Sequence, residues 1–377
     1  MRHISSRKSV NPLTVTAPAS ALNAALSLAA LAADKKADTP VRIIADRGMI
    51  TFTVANLRSA IAITATSDAT VISAGEAAAS ATRLEALLSG FAAKTEITIG
   101  TAATCATIAG GGSVYRLPLL GDPPVGLAID PEMGCIELAT PNFVKLLGVL
   151  PAADSGKTRP YLGGVYLHSV GDKLVSVATD ATKLLRIAVP ADNFSIDRTL
   201  IIPAPSATIV LKLLKQVKPE TTMLRRSCTV LSVSAPGFEL VTGLIAGPYP
   251  EYARLLPQPK GNTALVQRAE LVAALARLHA VANGEMPLVI LTWANGEPVR
   301  LHLAREPRAG QDMIAAQANG AAQMAFSLPA LTSLVEGFKD DSLLLDADTD
   351  HGVLIQQGDK LAVLMSCRWR FGTEVAA

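Results

Sequence analysis

Apolar residues fall in two alternating spacings along this chain, and the alternation comes round three times. Leu22-Asn-Ala-Ala-Leu26, Phe143-Val-Lys-Leu-Leu147 and Leu271-Val-Ala-Ala-Leu275 each set apolar side chains four residues apart, as on one face of a helix. After each comes an every-other-residue pattern around a polar turn: Ile43 to Val54 around Asp46-Arg47-Gly48, Val165 to Ala178 around Gly171-Asp172, and Val289 to Leu303 around Asn295-Gly296. These are predicted hairpins. A second helical stretch follows in every block, at Leu84 to Phe91, Val210 to Val217 and Leu331 to Phe338, with apolar residues at i, i+3, i+4 and i+7. Another strand pair then turns at Gly110-Gly111-Gly112, Pro236-Gly237 or Gly358-Asp359.

The repeat sets the domain organisation. Gly121-Asp-Pro-Pro124 and Gly247-Pro-Tyr-Pro250 close the first two blocks, as proline-rich boundaries do. The expected domains are residues 1–127, with 1–12 as an N-terminal extension, 128–258, and 259–377, with 370–377 as a C-terminal extension. Each is expected to hold two helices and about eight short strands. One apolar stripe per helix and one apolar face per sheet must bury against each other, which gives a two-layer α+β domain.

Composition refines this picture. Half of the 377 residues are hydrophobic but only 4% are aromatic, so the cores must be built from Ala, Val, Leu and Ile. The net charge is +2, and any affinity for nucleic acid must come from how charge is distributed. The exposed sides of the predicted helices carry Arg83, Lys145, Lys212, Lys215, Arg268 and Arg277 against Glu85, Glu270 and Glu336. An ordinary solvated face explains them; a polar face repeated six times also suits a long, regular ligand. The four cysteines are far apart and form no CxxC, which fits a reducing cytoplasm. Arg2, His3, Arg7 and Lys8 ahead of the run Ala19 to Ala33 imitate a secretory signal, so an exported repeat protein is a competing reading. Pro12, Pro18 and Asn23 interrupt that pattern, and the repeat requires the same run as a helix. No apolar stretch is long enough to span a membrane, and no membrane partner is expected.

The chain offers no set of residues for catalysis. His3, His168, His279, His302 and His351 occupy unrelated places in the repeat and read as surface or strand residues. Asp346-Ala-Asp-Thr-Asp350-His-Gly352 departs from a calcium loop: its glycine is one place late, and Gln357 stands where a bidentate glutamate is needed. No metal, no cofactor and no enzymatic activity are expected.

Several landmarks in order resemble the bacterial DNA polymerase III β subunit, the sliding-clamp family, from about Leu13 to Trp369. They are Tyr161-Leu-Gly-Gly164; Val177-Ala-Thr-Asp180 with Lys183-Leu184; Ile201-Ile-Pro203; Tyr249-Pro-Glu-Tyr-Ala-Arg-Leu-Leu-Pro257; Phe326-Ser-Leu328; and Val363-Leu-Met-Ser-Cys-Arg368. The resemblance implies three clamp domains, helices lining a hole, sheets outside, and a head-to-tail ring dimer around duplex DNA. It implies a processivity factor that docks polymerase and clamp-loader subunits through linear motifs. A specialised clamp of a mobile element or phage-like cluster, serving other partners, is the alternative within the same fold.

Position by position, the resemblance implies a peptide cleft formed by Leu162, Thr179, Lys183, Leu184, Pro250, Arg254, Leu255, Met286, Ser327, Val363, Leu364, Met365 and Arg368. It implies DNA contacts at Lys35, Lys36, Lys157, Arg159 and Tyr161. It also implies a dimer interface with Tyr115 and Leu117 on one side and Ala280 and Val281 on the other. The departures gather at the cleft: Ala181-Thr182 stand in place of Gly-His, Ala330 in place of a tyrosine, and Ser366-Cys367 in place of Pro-Met.

Overall fold

The structure, a computed structural model, describes residues 12–34, 37–121, 127, 129, 134–156, 158–191, 200–257, 259–284, 286–304, 310–348 and 352–369. Among these are six α-helices: α1 (Ala19–Ala30), α2 (Ala81–Ser89), α3 (Thr140–Leu146), α4 (Ala204–Val217), α5 (Arg268–Val281) and α6 (Leu328–Glu336). They fall two to each sequence block. The alanine-leucine run that imitates a signal peptide is α1, a core helix with Leu22, Ala25, Leu26 and Ala29 buried. Ser80 and Ser327 cap α2 and α6, their hydroxyls accepting from the Arg83 and Ala330 amides. Helix α3 is the short one, and the chain continues as a 3-10 turn, Leu147–Ala152, which contains Gly148 and Pro151.

Main-chain bonding reproduces the threefold repetition. The first amide of each block's first helix donates to a carbonyl beyond the second helix: Ala19 to Thr95 at 2.8 Å, Thr140 to Glu220 at 3.0 Å, and Arg268 to Asp341 at 2.7 Å. The first amide of each second helix reaches back to the residue just ahead of the first hairpin. Those bonds are Ala81 to Thr39 at 3.0 Å, Ala204 to Gly163 at 3.0 Å, and Leu328 to Pro287 at 2.9 Å. Helix N-termini leave amides without partners inside the helix, and here the same loop positions satisfy them in each block. In each block, too, a strand ahead of the first helix pairs antiparallel with one after the second: Thr14–Pro18 with Glu96–Thr101, Gly134–Ala139 with Thr221–Arg226, and Thr263–Gln267 with Ser342–Asp348.

The chain divides into two compact units, Met1–Val144 with Pro205–Leu244, and Lys145–Ala204 with Ile245–Ala377. The first contains a five-stranded sheet, with Thr70–Ser73 at one edge and Ser113–Pro118 at the other, and an eight-stranded sheet. The larger sheet joins strands of two sequence blocks, with Phe238 opposite Ala65 and Thr242 opposite Ile61. The second unit contains a four-stranded sheet and a nine-stranded one. Its larger sheet is joined in the same manner, Lys183 opposite Leu364 and Ile187 opposite Lys360.

Strand alternation places the cores. In Pro40–Asp46, for instance, Val41, Ile43 and Ala45 are buried and their neighbours are not. The buried set is overwhelmingly aliphatic, with Phe52, Phe143, Phe326 and Phe338 as its largest enclosed side chains. Several hydroxyls inside find partners: Thr140 with Thr222 at 2.8 Å, Ser206 with Thr242 at 2.7 Å, and Ser176 donating to the Leu146 carbonyl at 2.7 Å.

Candidate peptide-docking cleft

The register of the nine-stranded sheet places the residues for which the resemblance implies a cleft. On one face, Thr179, Leu184, Val363 and Leu354 stand opposite one another across four adjacent strands. The next row on that face is Tyr166, Val177, Arg186 and Leu361. Leu162, from the turn Pro160–Leu162, and Tyr249 and Tyr252 pack onto these rows, so Leu162, Leu184 and Val363 share one apolar cluster. Lys183 and Leu364 are sequence neighbours of Leu184 and Val363 and therefore face the other side of the sheet. Leu364 is buried there, and the Lys183 ammonium lies 3.8 Å from the Asp180 carboxylate.

A tight turn closes one end. The Thr179 hydroxyl donates to the Lys183 carbonyl at 2.7 Å and accepts from the Ala181 amide at 3.0 Å. Asp180 Oδ1 accepts from the amides of Thr182 and Lys183, each at 2.9 Å, and from the Thr182 hydroxyl at 2.7 Å. Ala181 has φ 72°, in the left-handed region that favours glycine. The Met365 amide bonds the Thr182 carbonyl at 2.8 Å, which brings the half-exposed Met365 beside the turn.

Other residues implied by the resemblance are placed differently. Pro250 and Arg254 line an adjoining cavity of about 510 Å³, and Arg254 Nε pairs with Glu251 at 2.6 Å. Leu255 belongs to the turn Tyr252–Leu255, and only its backbone is described. Ser327 caps α6, Met286 is 78% exposed, Arg368 is exposed, and none of the three is among the side chains packed on the Leu162 cluster. Lys35, Lys36 and Lys157 lie outside the described residues. Arg159 donates to the Asp180 carbonyl at 3.0 Å and stands 3.2 Å from Asp154, so it braces the cleft turn; Tyr161 is partly exposed. On the edge strand Ser113–Pro118, Tyr115 is 44% exposed and meets Phe91 edge-to-face at 5.9 Å, with Leu117 half-buried. Ala280 and Val281 are exposed at the end of α5.

The adjoining cavity holds residues that the sequence reading passed over. Tyr166 stacks on Tyr249 with centroids 4.3 Å apart and planes at 3°, and on His168 at 4.8 Å. His168 Nε2 is 2.9 Å from the Tyr252 hydroxyl. Burial holds the His168 imidazole below its ordinary range, a backbone bond at Ser169 opposes that, and the charge of Arg186 adds to the lowering. Burial pushes the Tyr249 phenol well above its usual value. The signal was present in the composition: of only five tyrosines, three meet here.

Known proteins agree with this architecture. The family model of the DNA polymerase III beta subunit, central domain, matches residues 141–251. The beta sliding clamp of Caulobacter vibrioides (strain NA1000 / CB15N) is 27% identical over 215 residues, 54% of this chain and 56% of that protein. That of Rickettsia felis is 24% identical over 198 residues, 52% of this chain and 49% of that protein. The chain thus spans about half the length of these curated relatives. With the Synechococcus elongatus clamp the match is 24% identical and covers 89% of this chain and 94% of that one. Among solved structures, the sliding clamp of Bartonella birtlesii bound to griselimycin has a TM-score of 0.87 at 23% identity, covering 95% of this chain and all of that one. The Caulobacter crescentus clamp has a TM-score of 0.88 at 20% identity, covering 96% of this chain and all of that one.

The fold is therefore that of the bacterial sliding clamps. In its central part, residues 141–251, the chain carries the central domain of the DNA polymerase III beta subunit.

Proposed function

We propose that the chain is a non-catalytic processivity factor, which closes head to tail with a second copy around duplex DNA and docks its partners through the cleft at Leu162, Leu184 and Val363. The likeness to sliding clamps over nearly the whole chain carries the reading. On this reading residues 1–127, 128–258 and 259–377 are successive clamp domains acting in the cytoplasm. Tyr115 and Leu117 of one copy meet Ala280 and Val281 of the other, a heterologous contact that closes on itself after two copies. Duplex is held without base readout, by scattered contacts from Lys35, Lys36, Lys157, Arg159 and Tyr161. Polymerase and clamp-loader subunits enter the cleft as linear motifs, whose apolar side chains are worth roughly 1.5–3 kcal/mol each when well buried.

Topology separates this from adhesive binding. Protein loaded by a bacterial clamp loader onto a nicked circular plasmid should stay on the circle through gel filtration and leave once a restriction enzyme linearises it. Equal retention on both forms would overturn the reading.

A further inference from the structure

The cavity of about 510 Å³ lies on the same sheet face as the Leu184 row, and the register sets the two side by side. Leu184 belongs to the cleft row, and Arg186, two residues along the same strand, belongs to the cavity row. That step is roughly 7 Å, the distance covered by two residues of an extended peptide. The walls are mixed in character. The stacked rings of Tyr166 and Tyr249 make a flat apolar side, and the Tyr252 hydroxyl, bonded to His168, makes a polar one.

Charge decides what such a compartment accepts. Its charged lining residues are Arg186, Arg254 and Glu251, and Glu251 is matched by Arg254 at 2.6 Å. That leaves Arg186: among the described residues no carboxylate stands within ion-pairing distance of it. A guanidinium at the rim of a partly enclosed, aromatic-walled cavity is a carboxylate site, because its planar fork matches the two oxygens and the surrounding apolar surface limits competition from water. A cationic group would meet repulsion there.

We propose that this cavity is a second compartment of the docking cleft, which takes an acidic side chain two or three residues away from the apolar anchors of a bound linear peptide. The inference rests on the docking reading above, and adds to it a rule for choosing partners. Two peptides with the same apolar anchors are told apart by whether glutamate or aspartate follows at that distance.

Fluorescence anisotropy with dye-labelled ten-residue peptides tests this. Each peptide carries a leucine-phenylalanine pair and, two and three residues away on either its N-terminal or its C-terminal side, two glutamates, two glutamines or two lysines. On one of the two sides the glutamate peptide should bind about fivefold more tightly than its glutamine twin at low salt, an advantage that shrinks in 0.5 M salt. Arg186→Lys should keep part of the advantage, and Arg186→Glu should reverse it in favour of the lysine peptide. Equal affinity of the glutamate and glutamine twins on both sides, or an advantage that survives Arg186→Glu, would overturn the compartment while leaving the cleft in place. If no peptide of the series binds the parent protein, the docking reading falls, and the compartment with it.

Discussion

The imidazole of His168 and the phenol of Tyr252 are joined by a hydrogen bond of 2.9 Å, which ties the strand Gly164–Val170 to the turn Tyr252–Leu255. Burial, assisted by the charge of Arg186, favours the neutral ring. The folded protein therefore binds the His168 proton less readily than the unfolded chain does. The resulting stability is fully present above the ordinary histidine pKa of about 6.5 and declines as pH falls toward the lower, folded-state value. Thermal melts at pH 7.5 and 5.5 should show a smaller acid-induced drop for His168→Gln than for the parent. An identical drop in both would place the acid sensitivity elsewhere.

Ala181 should be a position where one substitution stabilises the protein. Its φ of 72° is costly for a residue with a Cβ and nearly free for glycine, whereas the extra freedom of glycine in the unfolded chain offsets part of the gain. Ala181→Gly is expected to raise stability by about 0.5–1 kcal/mol, read as a higher urea midpoint with an unchanged slope.

Leu184 and Met365 should separate stability from docking. Leu184 is 4% exposed in the apolar cluster, so Leu184→Ala should cost about 2–4 kcal/mol of stability as well as weakening peptide binding. Met365 is 41% exposed, so Met365→Glu should leave the melting temperature within a few degrees and still weaken an apolar peptide at least tenfold, because the new charge must be desolvated when the peptide lands. Anisotropy and denaturation measured on the same samples check both. A Met365→Glu protein that binds like the parent would remove that residue from the cleft.

Ring closure predicts a mass of twice 39.2 kDa by light scattering. Tyr115→Glu, on the edge strand, and Val281→Asp, at the end of α5, should each shift the protein toward single chains at micromolar concentration. Both side chains are already 44% exposed, so neither change should unfold it. Dimers that persist in both variants would move the contact to another surface.

Local pattern made much of the fold legible. The helix positions and the hairpin turns at Gly48, Gly171 and Gly296 follow from apolar spacing and from residues that tolerate a positive φ, and each turn glycine does have one. The strands Thr14–Pro18, Gly134–Ala139 and Thr263–Gln267 were not legible, because each is short and is defined by a partner strand more than eighty residues away or nearly so. The junctions at Phe238 with Ala65 and at Lys183 with Leu364 were equally silent, since ladder bonds join main chains and leave no mark on side-chain type. At the cleft, the resemblance carried Val363 and Leu364 together, although strand alternation lets only one of two neighbours face a ligand. The compartment at Arg186 was missed because Tyr166 and His168 look like ordinary strand residues until the register sets them beside Tyr249 and Tyr252.

Those silent junctions bear on how this shape has lasted. Where one sequence block meets the next, the bonds run from amide to carbonyl, as they also do at the first turn of every helix. Such contacts place few demands on which amino acid supplies them, apart from proline. The ladder bonds of the seam therefore tolerate exchange of one residue for another, whereas the buried side chains that lie on it, Leu184, Val363, Ile63 and Leu240 among them, must stay apolar. A chain only 23% identical to the Bartonella birtlesii clamp can thus have a TM-score of 0.87 to it, because the same backbone geometry can be built from largely different residues.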